Sequence, residues 1–138
     1  MEIEWLILAD SAQVVGNKLY LLGGGWDILS IRQKLPFNQP CGIALAVKVP
    51  WNNTNEKHNF EIEFVSEDQE TEEPHSMAKF GGQLEVGRPP GIQRGQDQRV
   101  QLAVNIGLQI TSAGTKIVVA RIDGTELKRI TFNVITGT

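Results

Sequence analysis

Seven carboxylates crowd the thirteen positions from Glu61 to Glu73: Glu61, Glu63, Glu67, Asp68, Glu70, Glu72 and Glu73, with no lysine or arginine among them. Oxygen ligands at this density could hold calcium, a hard cation that takes about six to eight of them from a flexible loop. Glu67, Asp68, Glu70 and Glu72 are the best-placed set. The competing reading is a solvated hairpin loop of mutually repelling charges. It is the stronger one, because the spacing matches no EF-hand loop.

Two other segments combine an aromatic or cationic group with rigid or amide-rich neighbours. Trp51 leads into Asn52 and Asn53, a pattern that could stack on a sugar or anchor a partner chain. Arg88, Pro89 and Pro90 form a stiff, extended, positively charged loop. It could meet an acidic surface, including the Glu67–Glu73 loop of a second copy. Trp26 and Asp27, directly after Gly23-Gly24-Gly25, complete the candidate binding surface. Those glycines do not make a phosphate loop, because no Lys-Ser/Thr and no helix follow them. They predict a tight corner that only glycine fits, with Trp26 packed across it.

Catalytic patterns are missing from the linear sequence. No Gly-x-Ser-x-Gly elbow occurs. His58 and His75 are the only histidines, lack metal-ligand spacing and read as surface residues. The lone cysteine, Cys41, lies in the apolar run Cys41 to Leu45 and reads as a buried strand residue rather than a nucleophile.

The elements that carry these residues follow a period of two. Arg99 to Ile106, Asn59 to Phe64 and Arg129 to Val134 alternate apolar and polar positions, as strands with one dry and one wet face do. Ile43 to Val49 is apolar almost throughout, which predicts a central strand covered on both faces. Trp5 alternates with Ile3 and Ile7 and is expected in the core. Gly81-Gly82 inside the strand from Lys79 to Val86 predicts a bulge or bend. Asp123-Gly124 between two β-rich runs predicts a hairpin, with Val118, Ala120, Ile122, Ile130, Phe132 and Val134 inward and Arg121, Thr131 and Asn133 outward. No stretch has the three-and-four spacing of an amphipathic helix.

The chain has 138 residues, 41% hydrophobic and 21% charged, with a net charge of −3. That suits one globular domain, residues 1–138, and argues against a general nucleic-acid binder. With one cysteine, no internal disulfide can form. The absence of a basic leader and of a long apolar run predicts a cytoplasmic protein with no membrane insertion.

Leu8-Ala9-Asp10, the run from Gly16 to Asp27 (Gly-Asn-Lys-Leu-Tyr-Leu-Leu-Gly-Gly-Gly-Trp-Asp), Val49-Pro50-Trp51-Asn52, Gly87 to Gly91 and Ile122-Asp123-Gly124 together resemble a family of uncharacterised small bacterial proteins. The resemblance covers nearly the whole chain and implies a stand-alone β-domain with no assigned activity. The C-terminal hairpin also resembles the last two strands of immunoglobulin-like domains, although the paired cysteines of antibody domains are absent.

The expected fold is therefore all-β, an immunoglobulin-like antiparallel sandwich of about seven to nine strands. The expected function is a non-catalytic binding or assembly module, with protein as its partner, most simply itself as a homo-oligomer or larger assembly. No cofactor beyond calcium is implied. The alternative is a small-ligand-binding protein or enzyme with a site at the sandwich end near Trp51 and the acidic loop.

Overall fold

Two sheets and a two-stranded ribbon organise the chain in the computed structural model, which describes residues 1–67 and 75–137. The strands are β1 (Glu2–Ala9), β2 (Ser11–Val15), β3 (Lys18–Leu22), β4 (Ile28–Ile31), β5 (Phe37–Val49), β6 (Lys57–Ser66), β7 (His75–Glu85), β8 (Gln98–Ile110), β9 (Gly114–Ile122) and β10 (Thr125–Thr136). A single 3₁₀ turn spans Trp51–Asn53, and no α-helix occurs among the described residues. One sheet has the order β1-β5-β8, the other β4-β10-β9-β6-β7, and β2-β3 stands as its own hairpin.

The fold is an all-β sandwich, with ten strands among the described residues where about seven to nine were expected. The predicted antiparallel pairing needs one correction. β4 pairs parallel with β10, from Asn133 opposite Ile28 to Thr136 opposite Ile31. A parallel partner reached through a long excursion leaves no hairpin signal in sequence.

One hydrophobic core fills the space between the sheets. β5 contributes Cys41, Ile43, Leu45, Val47 and Val49, and β8 contributes Leu108 and Ile110. Facing them are Ile62 and Phe64 of β6, Val118, Ala120 and Ile122 of β9, and Phe132 and Val134 of β10. These are the alternate positions that the period of two selects, and the predicted inward set of the β9–β10 hairpin is confirmed, with Ile130 half-buried. Asp123 and Gly124 have φ of 50° and 82°, the double positive φ of a tight hairpin turn.

The outer face of β5 is buried as well. Gly42, Ala44 and Ala46 project away from the core, yet both alanines are fully buried. The β2–β3 hairpin lies over them. A Cβ on Gly42 would come within 2.6 Å of the Ala12 backbone nitrogen, so only glycine lets the two backbones approach this closely. Asn105 of β8 fixes the hairpin there by bonding both backbone groups of Ala12. Gln101, further along the strand, donates to the Asn17 carbonyl at the hairpin tip.

Two expectations fail for traceable reasons. The register of β1 against β5 shifts between Ile3 and Trp5. That bulge flips the parity, so Ile3, Leu6 and Leu8 enter the core and Trp5 stays half-buried outside it. Gly81 and Gly82 pair regularly with Glu61 and Phe60, and the irregularity lies instead at Phe64/Val65. The glycines make room for Phe60, whose ring would sit 2.9 Å from a Cβ on Gly82.

Candidate functional site

The Trp51 end of the sandwich is assembled from three connections: the turn after β5, the long segment between β7 and β8, and the Asp123-Gly124 hairpin. Pro50, at φ −65° and ψ 156°, stops β5 and aims the chain into the 3₁₀ turn. The Asn53 amide donates to the Pro50 carbonyl at 2.9 Å, and Thr54 Oγ1 donates to the Trp51 carbonyl at 2.6 Å. Asn55, at φ 60°, turns the chain back and donates its amide to Val86, which joins this turn to the end of β7.

Arg88 is built into this corner. Its guanidinium lies 3.8 Å above the centroid of the Trp51 ring. Nε donates to Thr54 Oγ1 at 2.7 Å and Nη2 to the Trp51 carbonyl at 3.0 Å. All of these contacts are with neutral groups, so among the described residues the guanidinium has no carboxylate partner while its geometry is fixed. One face of Trp51 is thereby occupied, which removes that face for stacking on a sugar.

Below the turn, His58 is only 4% exposed, contrary to the surface position expected from sequence. Its Nδ1 lies 2.8 Å from Asp123 Oδ2, and its Nε2 lies 2.8 Å from the Asn53 carbonyl. Asp123 Oδ1 accepts the Asn59 amide at 2.9 Å. The bond to Asp123 and then that to Asn53 raise the His58 pKa above its ordinary value. The same bond to His58 holds the Asp123 carboxyl below its own. Although this is a His–Asp pair, both ring nitrogens are engaged, so neither can take a proton from a substrate in this conformation. A depression of about 300 Å³, lined by Met1, Asn53, Ile122, Asp123, Thr125 and Leu127, opens beside the pair.

Of the sequence-predicted binding residues, Trp51, Asn53 and Arg88 share this end, and Asn52, Pro89 and Pro90 are exposed around it. Trp26 and Asp27 lie elsewhere. Trp26 packs edge-on against Phe132, with centroids 5.7 Å apart, and its Nε1 donates to Asp10 Oδ1 at 3.2 Å. The corner reading of the three glycines holds. Gly23 and Gly25 have φ of 65° and 85°, and a Cβ on Gly23 would collide with the Asp10 carboxylate. The exposed Asp27 accepts the Asn133 amide through its backbone carbonyl.

The described residues that lead into the acidic loop, Ser66 and Glu67, lie at the opposite end of β6 from Trp51. The loop begins after Ser66, at the far end of the ten-residue β6, and the 3₁₀ turn precedes Lys57 at the near end. A strand of that length separates them by roughly 30 Å. Glu67 is exposed and donates its amide to the Thr115 carbonyl. Asp68, Glu70 and Glu72 lie outside the described residues. No group of three or more metal-type side chains gathers among the described residues. Next to the base of the loop the fully buried Lys116 donates to Ser66 Oγ at 2.7 Å and to Ser112 Oγ at 3.0 Å.

Sequence reasoning passed over Lys116 and took His58 for a surface residue, although both sit at inward parity, with Val118 and Ala120 in one strand and Ile62 and Phe64 in the other. Cys41 is buried as expected, and burial pushes its thiol up to about 12, far from a reactive thiolate.

A cluster of exposed apolar side chains lies on the β2–β3 ribbon, a feature the sequence reading missed, and a second pair, Ile28 and Ile135, lies on β4 and β10. Val15, Tyr20 and Leu22 are 52%, 55% and 72% exposed. Register places Val15 opposite Lys18, Gln13 opposite Tyr20 and Ser11 opposite Leu22, so all three share the face turned away from β5. Among the described residues β3 pairs only with β2, which leaves its outer edge without a strand partner there. The signal was hidden because Leu19 to Leu22 is continuously apolar and shows no alternation.

Among the described residues, the fold and these surfaces define a β-sandwich of two sheets, with three and five strands, carrying an appended two-stranded apolar ribbon. The chain belongs to the DUF6941 family, a family of unknown function, whose model matches residues 4–135. No curated protein matches the chain. Among the described residues no helix is long and apolar enough to cross a membrane.

Proposed function

We propose that this domain is a non-catalytic binding or assembly module, and that the β2–β3 ribbon is its contact surface. The observation that supports this is the row of Val15, Tyr20 and Leu22, each more than half exposed, on a ribbon with an unpaired edge. Clustered apolar side chains in water favour burial against a partner, and an unpaired edge accepts an added strand. Three other edge strands are guarded, while the thirteen-residue β8 forms the far edge of the three-stranded sheet. β1 carries a bulge with Glu2 and Glu4, β7 a bulge near its loop end, and β4 is only four residues long. β3 has none of these protections except Lys18. The partner is protein, with a second copy as the simplest case.

The architecture is read as immunoglobulin-like. Support comes from the way β1 joins β5 and β8 in one sheet while β4, shortly after it in sequence, crosses to pair in parallel with β10 in the other.

Sedimentation velocity over a wide concentration range tests the proposal, read together with hydrogen exchange of the Lys18–Leu22 amides. A discrete oligomer whose β3 amides gain protection, and which Tyr20→Glu returns to monomer, is the expected outcome. A chain that stays monomeric at every concentration, with β3 amides exchanging freely, rejects self-assembly through the ribbon.

A second reading, recognition of an acidic ligand at the sandwich end, draws on Arg88, which has no carboxylate partner among the described residues. Titration with acidic peptides, repeated on Arg88→Ala, tests it; unchanged binding by the variant removes this reading.

A further inference from the structure

His58 is placed between two oxygens that can only accept. A backbone carbonyl has no proton to give, and an ionised carboxylate has none either. The Asn53 carbonyl and Asp123 Oδ2 each lie 2.8 Å from a ring nitrogen, so both contacts are hydrogen bonds only when both nitrogens carry protons. The geometry therefore calls for the imidazolium. A neutral ring can keep one bond and must set its other nitrogen's lone pair against an oxygen.

We infer that His58 is a proton-operated clasp, which ties the Trp51–Asn53 turn to the body of the sandwich when protonated and releases it when neutral. The contact to fail is the one to Asn53. Asp123 is charged, is also held by the Asn59 amide, and sits in a tight two-residue turn, so it retains the remaining N–H. Release reaches the surface through a short chain of contacts. Asn53 lies in the same 3₁₀ turn as Trp51, and the Trp51 carbonyl and ring hold Arg88. A loosened turn thus frees the Arg88 guanidinium, the fixed cation of this end.

The surrounding charges act in the same sense. Glu56 Oε2, from the segment before β6, lies 3.9 Å from Nε2, and Asp123 approaches from the β9–β10 turn. β7 offers the apolar Leu84 opposite His58, and the neighbouring Lys57 is exposed. Arg88 is the opposing cation of this end, and it turns to the Trp51 carbonyl. The two acids favour the charged ring, and so does the raised pKa of His58. The clasp does not depend on whether the β2–β3 ribbon is the contact surface.

The test is an NMR titration of the intact protein between about pH 5 and about pH 9, a range that brackets an ordinary histidine. His58 is expected to titrate above the ordinary histidine value of about 6.5. The Asn53 and Thr54 amides and the Trp51 indole are expected to follow the His58 curve and not that of His75. Amide exchange at Thr54 and Asn55, corrected for its intrinsic pH dependence, should rise severalfold across the same transition. In His58→Gln the Trp51 and Asn53 signals should lose this pH dependence, whereas His75→Gln should keep it. A His58 that titrates at or below the ordinary histidine value of about 6.5 overturns the inference, as do Trp51 and Asn53 signals that stay flat through the His58 transition. The titration of the unsubstituted protein decides the matter even if His58→Gln fails to fold.

Discussion

Asn105 holds Ala12 by both of its backbone groups: Nδ2 donates to the Ala12 carbonyl at 2.8 Å, and Oδ1 accepts the Ala12 amide at 2.9 Å. One side-chain amide thus does what a neighbouring strand would do, and it attaches the β2–β3 ribbon to the outer face of the three-stranded sheet. Ala12 is 2% exposed, so losing this partner leaves two buried backbone groups unsatisfied. Asn105→Ala should destabilise the protein by roughly 2–4 kcal/mol, counting two such groups at about 1–2 each. Urea unfolding measures the loss, and amide exchange at Ala12 should accelerate first. A variant as stable as the parent, with Ala12 still protected, would show that the ribbon stays docked without this bond.

Gly42 makes the same docking possible from below. A Cβ there would lie 2.6 Å from the Ala12 nitrogen and 2.8 Å from the Ser11 carbonyl carbon, both backbone atoms that cannot swing aside. Gly42→Ala should therefore lift the ribbon and expose Ala44 and Ala46. Because it breaks the contact that Asn105 secures, the double variant should cost less than the two single costs added together. Strict additivity in urea unfolding would mean that the two residues serve separate structures.

The fold was largely legible because burial in a sandwich follows parity. Alternation in Asn59 to Phe64 and Arg129 to Val134 identified Ile62, Phe64, Phe132 and Val134 as core, and all four are buried. Parity misled only where the backbone broke it. The shift between Ile3 and Trp5 moves one side chain across the sheet, and no residue type there announces it. The parallel pairing of β4 with β10 is a long-range contact between segments about a hundred positions apart, and nothing local encodes it. The sandwich end was legible in part. Trp51, Asn53 and Arg88 were recognised one by one, and only the folded chain shows that the guanidinium lies on the indole. His58 was taken for a surface residue because a polar side chain at a strand end usually is one, yet its even parity with Ile62 and Phe64 pointed inward.

The β1 bulge makes a prediction that reverses the usual order of side-chain size. Trp5 is the larger side chain but stands outside the core, and Leu6, 5% exposed, stands within it. Leu6→Ala should cost about 2–5 kcal/mol through lost burial and the cavity left behind. Trp5→Ala should cost clearly less, because a half-buried side chain leaves a dent open to water rather than a cavity. Paired denaturation curves check this. If Trp5→Ala were the more damaging change, the register of β1 would have to run straight through Glu4.

The His58–Asp123 pair should also leave a mark on global stability, with a sign that its two shifts determine. The raised His58 pKa means that its contribution is complete below the unfolded value of about 6.5 and is lost as pH rises through the folded value. The lowered Asp123 pKa means that its contribution is complete above the unfolded value of about 3.9 and is lost as pH falls through the folded value. Both are fully present only between about pH 4 and about pH 6.5. The stability advantage of the parent over His58→Gln should be largest in that window and shrink towards alkaline pH, where the folded chain gives up the proton it had gained. Urea midpoints measured for both proteins at several pH values provide the check. An advantage that grows as pH rises above the window would mean that His58 is held neutral, with one of its two 2.8 Å contacts not a hydrogen bond.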